Sequence, residues 1–432
     1  MKTLTLEPIR WQDVPARITV LANDAAIDVY YQATSPRLLD TICAGRPVEE
    51  LPRMLTLLAP AHHLTAARAL DRLFEVQPPE LALHMRSALL QAQYGAAHLR
   101  KFYFLLTSGQ NPMVDFHVAR KGAVPPTISR QWLQEIAHHG ALAQEAEAIL
   151  GGRCTHPLTA TTGGVSRFLK EGHYDRLAAI CGCLLPFAQK LAQWVRTTLL
   201  EDGAGHGSWA DIEIPKLAGL YQADSDRTTL SDPEGGASQP LAEDQLGEVI
   251  AMHREAWTYQ PFAYLKAKGW QDLDHHASLF HVGPLARFNA DLAAATPLAE
   301  EERQRILAVV GAPPVYAWSA AFGAMAVELI QSVEQLQELS RPEKLSGPTL
   351  RTIPKGHGTS TWALLETPQG LTWHAYTVDA DGIVQTVTVL DAGTANHALK
   401  CLLAKHVVTA ELEKQTDPKV IKERVELALL PF

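Results

Sequence analysis

The segment VGPLARFN at residues 282–289 is the most informative stretch of this sequence. Three further segments that contain glycine or proline accompany it. In chain order these are RMLTLLAPAH at 53–62, GGRCTHP at 151–157 with GGV at 163–165, and ETPQG at 366–370 with His374 after it. Glycine permits positive φ and close approach of two backbones, so tight turns are predicted. Arg153 and His156 are suited to hold charge in a buried place. We expect Arg287 to donate hydrogen bonds to backbone carbonyls.

Together and in this order, the segments resemble four motifs of the [NiFe]-hydrogenase large subunit. The family motifs are RxCGxCxxxH, GGRxxHP followed by GG, VGPLAR, and EAPRG between two strands. Two weaker matches lie upstream, where RLLD at 37–40 stands for RGxE and PIRWQ at 8–12 stands for a P-x-RIEGH stretch. Because the matches run along the whole sequence, the resemblance implies a single hydrogenase-large-subunit-like domain over residues 1–432, with a helical core.

Local sequence patterns predict a mostly α chain with a minor antiparallel β part (α+β). Apolar spacing and glycine or proline stops predict helices at 64–74, 81–106, 129–150, 165–200 with breaks near Gly172 and Pro186, 241–257, 298–309, 319–338, 395–403 and 420–429. Strands are predicted at 16–21, 360–366, 371–378 and 383–390. Frequent Gly, Ser and Asp predict a flexible surface excursion at 201–240.

Composition and charge limit the function classes. Of the 432 residues, 47% are apolar and 20% are charged, which supports a large core. A formal net charge of -9 argues against a nucleic-acid surface, which needs clustered Lys and Arg. Neither a secretory signal nor a run of about 18 apolar residues is found, so no membrane span is expected. Five cysteines do not make a disulfide framework in a chain of this length, which favours the cytoplasm.

The resemblance also shows which family residues this chain lacks. In hydrogenase large subunits two Cys-x-x-Cys pairs hold nickel and iron, since soft thiolates suit these metals. The first pair falls on Leu55 and Leu58, and a C-terminal DPCxxCxxH motif would place its first thiolate at Phe432, where the sequence stops. The arginine of EAPRG is Gln369, and a proton-relaying glutamate aligns with Gln12. We therefore expect a retained fold without the reaction, which means no enzyme, no nickel, and no C-terminal tail to cleave.

Five residues are candidates for holding an iron fragment. They are Cys154, Cys43, His62, His156 and Arg53, with Cys154 or Cys43 as the metal-ligating thiol. For each thiol the alternative is a small buried hydrophobe, which is the usual role of a free cysteine. For His62 the alternative is a histidine at the start of a helix, bonded to a carboxylate or to the backbone.

By these criteria the chain is most similar to the HupK/HoxV-type accessory proteins of hydrogenase maturation. The resemblance implies a scaffold that carries an Fe(CN)2(CO) fragment from HypC/HypD-type proteins to a hydrogenase large subunit, with docking of a small subunit left open. Two alternatives remain. One is a structural, quinone-binding or electron-transfer subunit of a hydrogenase-like or complex I-like assembly. The other is a metal-binding oxidoreductase with unconventional ligands.

Overall fold

The computed structural model describes residues 2–22, 27–107, 130–201, 212–224, 227–236 and 238–432. The α-helices in these ranges are α1 Leu39–Cys43, α2 Leu51–Met54, α3 His62–Leu73, α4 Glu80–Thr107, α5 Arg130–Gly151, α6 Glu171–Trp194, α7 Leu246–Val249, α8 Pro284–Phe288, α9 Pro297–Val310, α10 Trp318–Leu339, α11 Pro342–Leu345, α12 Ala392–Ala395, α13 His397–Glu413 and α14 Pro418–Leu429. The strands are β1 Lys2–Ile9, β2 Ala16–Ala22, β3 Ile27–Ala33, β4 Ala160–Thr161, β5 Gly164–Val165, β6 Ala218–Asp224, β7 Arg227–Leu230, β8 Gln239–Ala242, β9 Ile250–His253, β10 Phe262–Leu265, β11 Phe280–His281, β12 Ser360–Thr367, β13 Gly370–Val378 and β14 Val384–Leu390.

Four long helices build the main core, as their apolar spacing predicts. α4 packs against α5 and α10, and α10 also packs against α6. At Gly95 an added Cβ would lie 3.8 Å from the Ala143 Cβ and 3.9 Å from the Ser332 Oγ, so small residues bring α4, α5 and α10 close together. The fully buried Phe102 contacts Phe322 in the same core, with 5.8 Å between ring centroids.

Small sheets surround this helical core. β1-β2-β3 and β12-β13-β14 are antiparallel, while β11-β6-β7-β8 has one parallel pair, β11 with β6. The predicted hairpin is confirmed, because β12 and β13 pair in the register Thr367↔Gly370 and Ala363↔His374. This register places His374 on the buried face of the sheet, toward α3.

Several predictions on secondary structure were wrong, among them the helix at 165–170, which is the end of β5 and a loop before α6. Residues 241–257 were predicted to be one helix, but they form the end of β8, the short α7, and β9. β8 pairs with β7 and β9 pairs with β10, so ladder hydrogen bonds override the local helix propensity. The predicted break at Pro186 is absent, since α6 runs through it. Patterning also missed β1 and β3, which flank the predicted β2.

The range 201–240 includes β6, β7 and a buried Leu220, while residues 202–211 lie outside the described part of the chain. The flexible excursion and the single-domain organisation remain predictions.

Candidate functional site

Segment 282–289 packs directly on the turn between β12 and β13. An added Cβ on Gly283 would lie 2.7 Å from the Gln369 carbonyl oxygen, and one on Gly370 would overlap the Val282 side chain. Both glycines have positive φ, +110° and +143°, which other residues rarely adopt. A side chain at either position would therefore collide with the other segment.

Arg287 joins the two segments through a buried cluster of charges. Its guanidinium donates to Glu328 (Nε to Oε1 2.6 Å, Nη2 to Oε2 2.8 Å), to Glu366, and to the carbonyls of Thr367 and Pro368 at 3.1 and 3.3 Å. The expected bonds to backbone carbonyls are confirmed. The two carboxylate partners were missed, because they lie 41 and 79 residues away in the sequence and follow from the tertiary fold.

The two carboxyls of this cluster differ in their pKa. Burial opposes ionisation of Glu328, but Arg287 and the hydrogen-bonded His98 at 2.8 Å lower its pKa to about 2. Burial raises the pKa of Glu366, although Arg287 and the backbone N–H of Gln222 partly compensate. The cluster therefore holds one firmly ionised carboxylate and one whose charge is costly.

A pocket of about 350 Å³ opens beside this cluster. We call it the Arg287 pocket. Its lining includes Leu90, Tyr94, Tyr221, Arg287, Phe288, Arg303, Glu328, Leu365 and Glu366.

The segments at 53–62 and 151–157 meet near the start of α3. The His156 Nδ1 lies 3.3 Å from the Thr56 Oγ1. His63 accepts a hydrogen bond from the backbone N–H of Ala160 (2.9 Å), so its Nδ1 carries the proton and donates to the Pro52 carbonyl at 2.8 Å. Burial lowers the pKa of His63 to about 4, which makes it a neutral structural link between the segments.

His62 connects α3 to the hairpin through a buried chain of polar groups. Its Nδ1 lies 2.8 Å from the His374 Nε2, and the His374 Nδ1 lies 2.6 Å from the Tyr376 hydroxyl. Burial lowers the pKa of His62 to about 4 and that of His374 well below its usual value. His62 stands at the start of α3, but its partner is a second histidine and not the carboxylate or backbone group that the structural alternative named.

A small cavity lies beside His62 and contains part of the predicted metal position. We call it the Leu58 cavity. It is lined by Asp13, Arg37, Leu58, His62, Gln369 and Asp391, among others, and measures about 20 Å³. That volume admits roughly one water molecule. The Arg37–Asp391 ion pair closes one side, and Asp391 also caps α12 by accepting from the Thr394 N–H at 2.8 Å.

The other predicted site residues lie outside the Leu58 cavity. Cys43 and Leu55, each 1% exposed, pack in one apolar cluster. Cys154 is half-buried in the turn before His156, and the Arg53 side chain is exposed.

Gln12 accepts a hydrogen bond from Tyr31 (3.1 Å), and Phe432 packs against the main core. The structure thus brings together Leu58, His62 and Gln369, and does not bring both candidate thiols to them.

A nickel–iron group does not fit these residues. The positions assigned to thiolates by the resemblance carry the aliphatic Leu55 and Leu58, which cannot ligate a metal, and the cavity between Leu58 and Gln369 has room for about one water. In the part of the chain that the structure describes, no three His, Cys, Asp or Glu side chains are grouped to hold a metal ion. The iron ligands and the expectation of no nickel remain predictions.

Comparison with curated proteins finds components of hydrogenases. A protein from Archaeoglobus profundus, named as an iron-sulfur subunit of an F420-non-reducing hydrogenase, is 24% identical over 469 residues, which cover 100% of this chain and 93% of that protein. "NAD-reducing hydrogenase HoxS subunit beta" from Cupriavidus necator is 22% identical, with 92% of this chain and 86% of that protein covered. No family model matches the sequence.

Solved structures give the same fold. A crystal structure of an NAD+-reducing [NiFe]-hydrogenase in the H2-reduced state matches with a TM-score of 0.86 at 21% identity, covering 100% of this chain and 97% of that chain. The Ni-Fe-Se hydrogenase from D. vulgaris Hildenborough matches with a TM-score of 0.75 at 15% identity, covering 100% and 99%. The predicted hydrogenase-large-subunit-like α+β fold is therefore confirmed.

The comparisons contradict two functional predictions. The predictions were a maturation scaffold and a chain that is not an enzyme. The relatives are named as hydrogenase subunits, and the structural neighbours are hydrogenases. Among the described residues, no helix is long and apolar enough to cross a membrane. The cytoplasmic location and the HypC/HypD-type partners remain predictions.

Proposed function

We propose that this chain is a subunit of a hydrogenase-type oxidoreductase assembly, in which it docks against an iron–sulfur subunit. The observation that supports it most is the extent of the similarity. The match to a hydrogenase structure covers 100% of this chain and 97% of the other, and relatives over the same span are named as subunits.

A surface beside the turn at 151–157 has the character of a subunit contact. Leu57 is 71% exposed and Leu158 is 39% exposed, and the His156–Thr56 contact brings their segments together. Arg53 and Arg153 are exposed on the same two segments. We call Arg53, Leu57, Arg153, His156 and Leu158 the Leu57 patch. Exposed apolar side chains ringed by polar groups mark protein–protein contacts, and arginine is enriched there.

The charges of the Leu57 patch indicate its partner. The whole chain has a formal net charge of -9, whereas this patch combines two arginines and a histidine with apolar side chains. An acidic surface on the partner would complement it, and such complementarity accelerates association.

The test is purification of the tagged chain at its native expression level, with cluster absorbance and iron content as readouts. We expect an iron–sulfur protein in fixed ratio, and we expect Leu57→Glu to release it because a charge would be buried in an apolar contact. Val420→Glu is the matched control, since Val420 is 43% exposed on α14, outside the patch. Recovery of the chain without such a partner, or equal retention by both variants, overturns the docking proposal.

A further inference from the structure

The Arg287 pocket has the size and lining of a small-molecule site. Most of its walls come from α4, α8, α9, α10, β6 and β12, and the loop at 292–295 forms the remaining wall. Its volume of about 350 Å³ falls within the range of ligand pockets, which begins at roughly 300 Å³.

Two carboxylates and two guanidinium groups line this pocket. Glu328 and Glu366 share the guanidinium of Arg287. Arg303, which is also buried, lies 2.5 Å from Asp291 and 3.4 Å from Glu300. Asp291 and Glu300 do not line the pocket, and each arginine is already paired with two acidic partners.

Glu366 has acceptor capacity that faces this space. One of its oxygens accepts from Arg287 and the other from the Gln222 N–H at 2.9 Å. A carboxylate offers about four acceptor positions, so two remain for a ligand. Because burial makes the negative charge of Glu366 costly, a cation beside it would lower that cost.

The remaining walls suit a flat apolar body. Tyr94 lies with its ring 5.7 Å from the Arg287 guanidinium carbon, and Phe288 and Tyr221 line the pocket nearby. Aromatic faces attract cations, and Leu90 and Leu365 add aliphatic contact area.

We propose that the Arg287 pocket binds a small organic cation, namely a planar ring bearing an amidinium, guanidinium or protonated amine whose N–H groups donate to Glu366. The proposal does not rest on the subunit role, because the pocket is formed by this chain alone.

Calorimetric titration of the full-length chain with benzamidinium, and with the uncharged benzamide of similar shape, tests the charge requirement. We expect benzamidinium to bind about tenfold more tightly or better, since hydrogen bonds to charged groups are the stronger ones. Equal affinity for the two probes, or binding of neither, overturns the proposal.

Two variants locate the binding. Glu366→Gln keeps the size of the side chain and removes its charge, so benzamidinium affinity should fall about tenfold. Ala294→Phe fills the pocket from its loop wall without touching the charges and should abolish binding even if Glu366→Gln does not fold.

The matched control is Glu426→Gln. Glu426 is a fully buried carboxylate paired with Arg10 at 2.6 Å, away from the pocket, so its loss should leave benzamidinium affinity unchanged. If the two pocket variants bind as tightly as the wild type, the cation sits elsewhere and the proposal fails.

Discussion

The Leu58 cavity and the Arg287 pocket lie on two sides of the same hairpin turn, at residues 365–372, and differ in almost every property that matters for binding. The first measures about 20 Å³ and the second about 350 Å³. The first contains the aliphatic Leu58 where the resemblance places a thiolate, whereas the second has a buried arginine between two carboxylates. The turn between them contacts segment 282–289 through Gly370 and Gly283. A shared fold can therefore be retained while the side chains that carry its chemistry change.

The largest effect is expected from Arg287→Ala. Removing the guanidinium leaves Glu328 and Glu366 buried without their cation, which should cost about 3–5 kcal/mol in the free energy of unfolding. Urea denaturation measures it. Arg176→Ala is the control, because Arg176 pairs with Glu145 at the surface, and it should change stability far less. Similar losses in both variants would contradict the buried-cluster interpretation.

Leu55→Ala tests whether the position at which the resemblance places a thiolate is part of the core. Leu55 is 1% exposed, so its truncation should cost about 2–5 kcal/mol. Leu57→Ala, two residues away and 71% exposed, should change stability by about 0.5 kcal/mol or less. If the two variants unfold at the same urea concentration, Leu55 is not part of the packed core.

Acid should destabilise the histidine link beside the Leu58 cavity. The pKa of His62 is lowered from 6.5 to about 4 by burial, so the unfolded chain binds the proton first as the pH falls. The contribution of His62 to the free energy of unfolding is therefore fully present above pH 6.5. It declines by about 3 kcal/mol as the pH drops toward about 4.

Unfolding free energies measured from pH 7.5 to about 4.5 give the slope. His62→Gln should bind about one proton fewer on unfolding, whereas the exposed His276→Gln should keep the wild-type slope. An unchanged slope in His62→Gln would show that His62 is not a neutral buried group.

The smallest effect is expected at the close contact between segment 282–289 and Gly370. Gly370→Ala adds a Cβ that overlaps Val282 at a φ of +143°, so a cost of about 1–3 kcal/mol is expected. Gly140→Ala, within α5 and with no atom within 4 Å of the new Cβ, should stabilise by about 0.5–1 kcal/mol. Thermal unfolding that moves the same way in both variants would contradict the close-approach explanation.

Sequence patterns predicted the helices and strands that depend mainly on residues close together in the chain. The hairpin of β12 and β13 follows from alternating apolar residues around a proline–glycine turn, and α4 follows from helical spacing without breakers. Residues 241–257 contain good helix formers, yet pairing with β7 and β10 makes strands there. Such pairing depends on chain segments that local periodicity does not reveal.

For the candidate sites, the sequence identified segments with special glycines but not which side chains pair. The contact between Gly283 and Gly370 comes from the structure, because motif order alone does not give a tertiary contact. Glu328 lies in the middle of α10 and looks like an ordinary helix residue, so nothing local indicates that it binds Arg287. The packing of Cys43 in the same apolar cluster as Leu55 likewise depends on tertiary contacts that spacing does not reveal.

Native mass spectrometry of the chain purified from its own host is the decisive experiment for the proposed role in a hydrogenase-type assembly. We expect a complex in which this chain is bound in fixed ratio to an iron–sulfur protein, and in which Leu57→Glu yields the free chain. Recovery of both the wild-type chain and the variant as monomers would contradict that role.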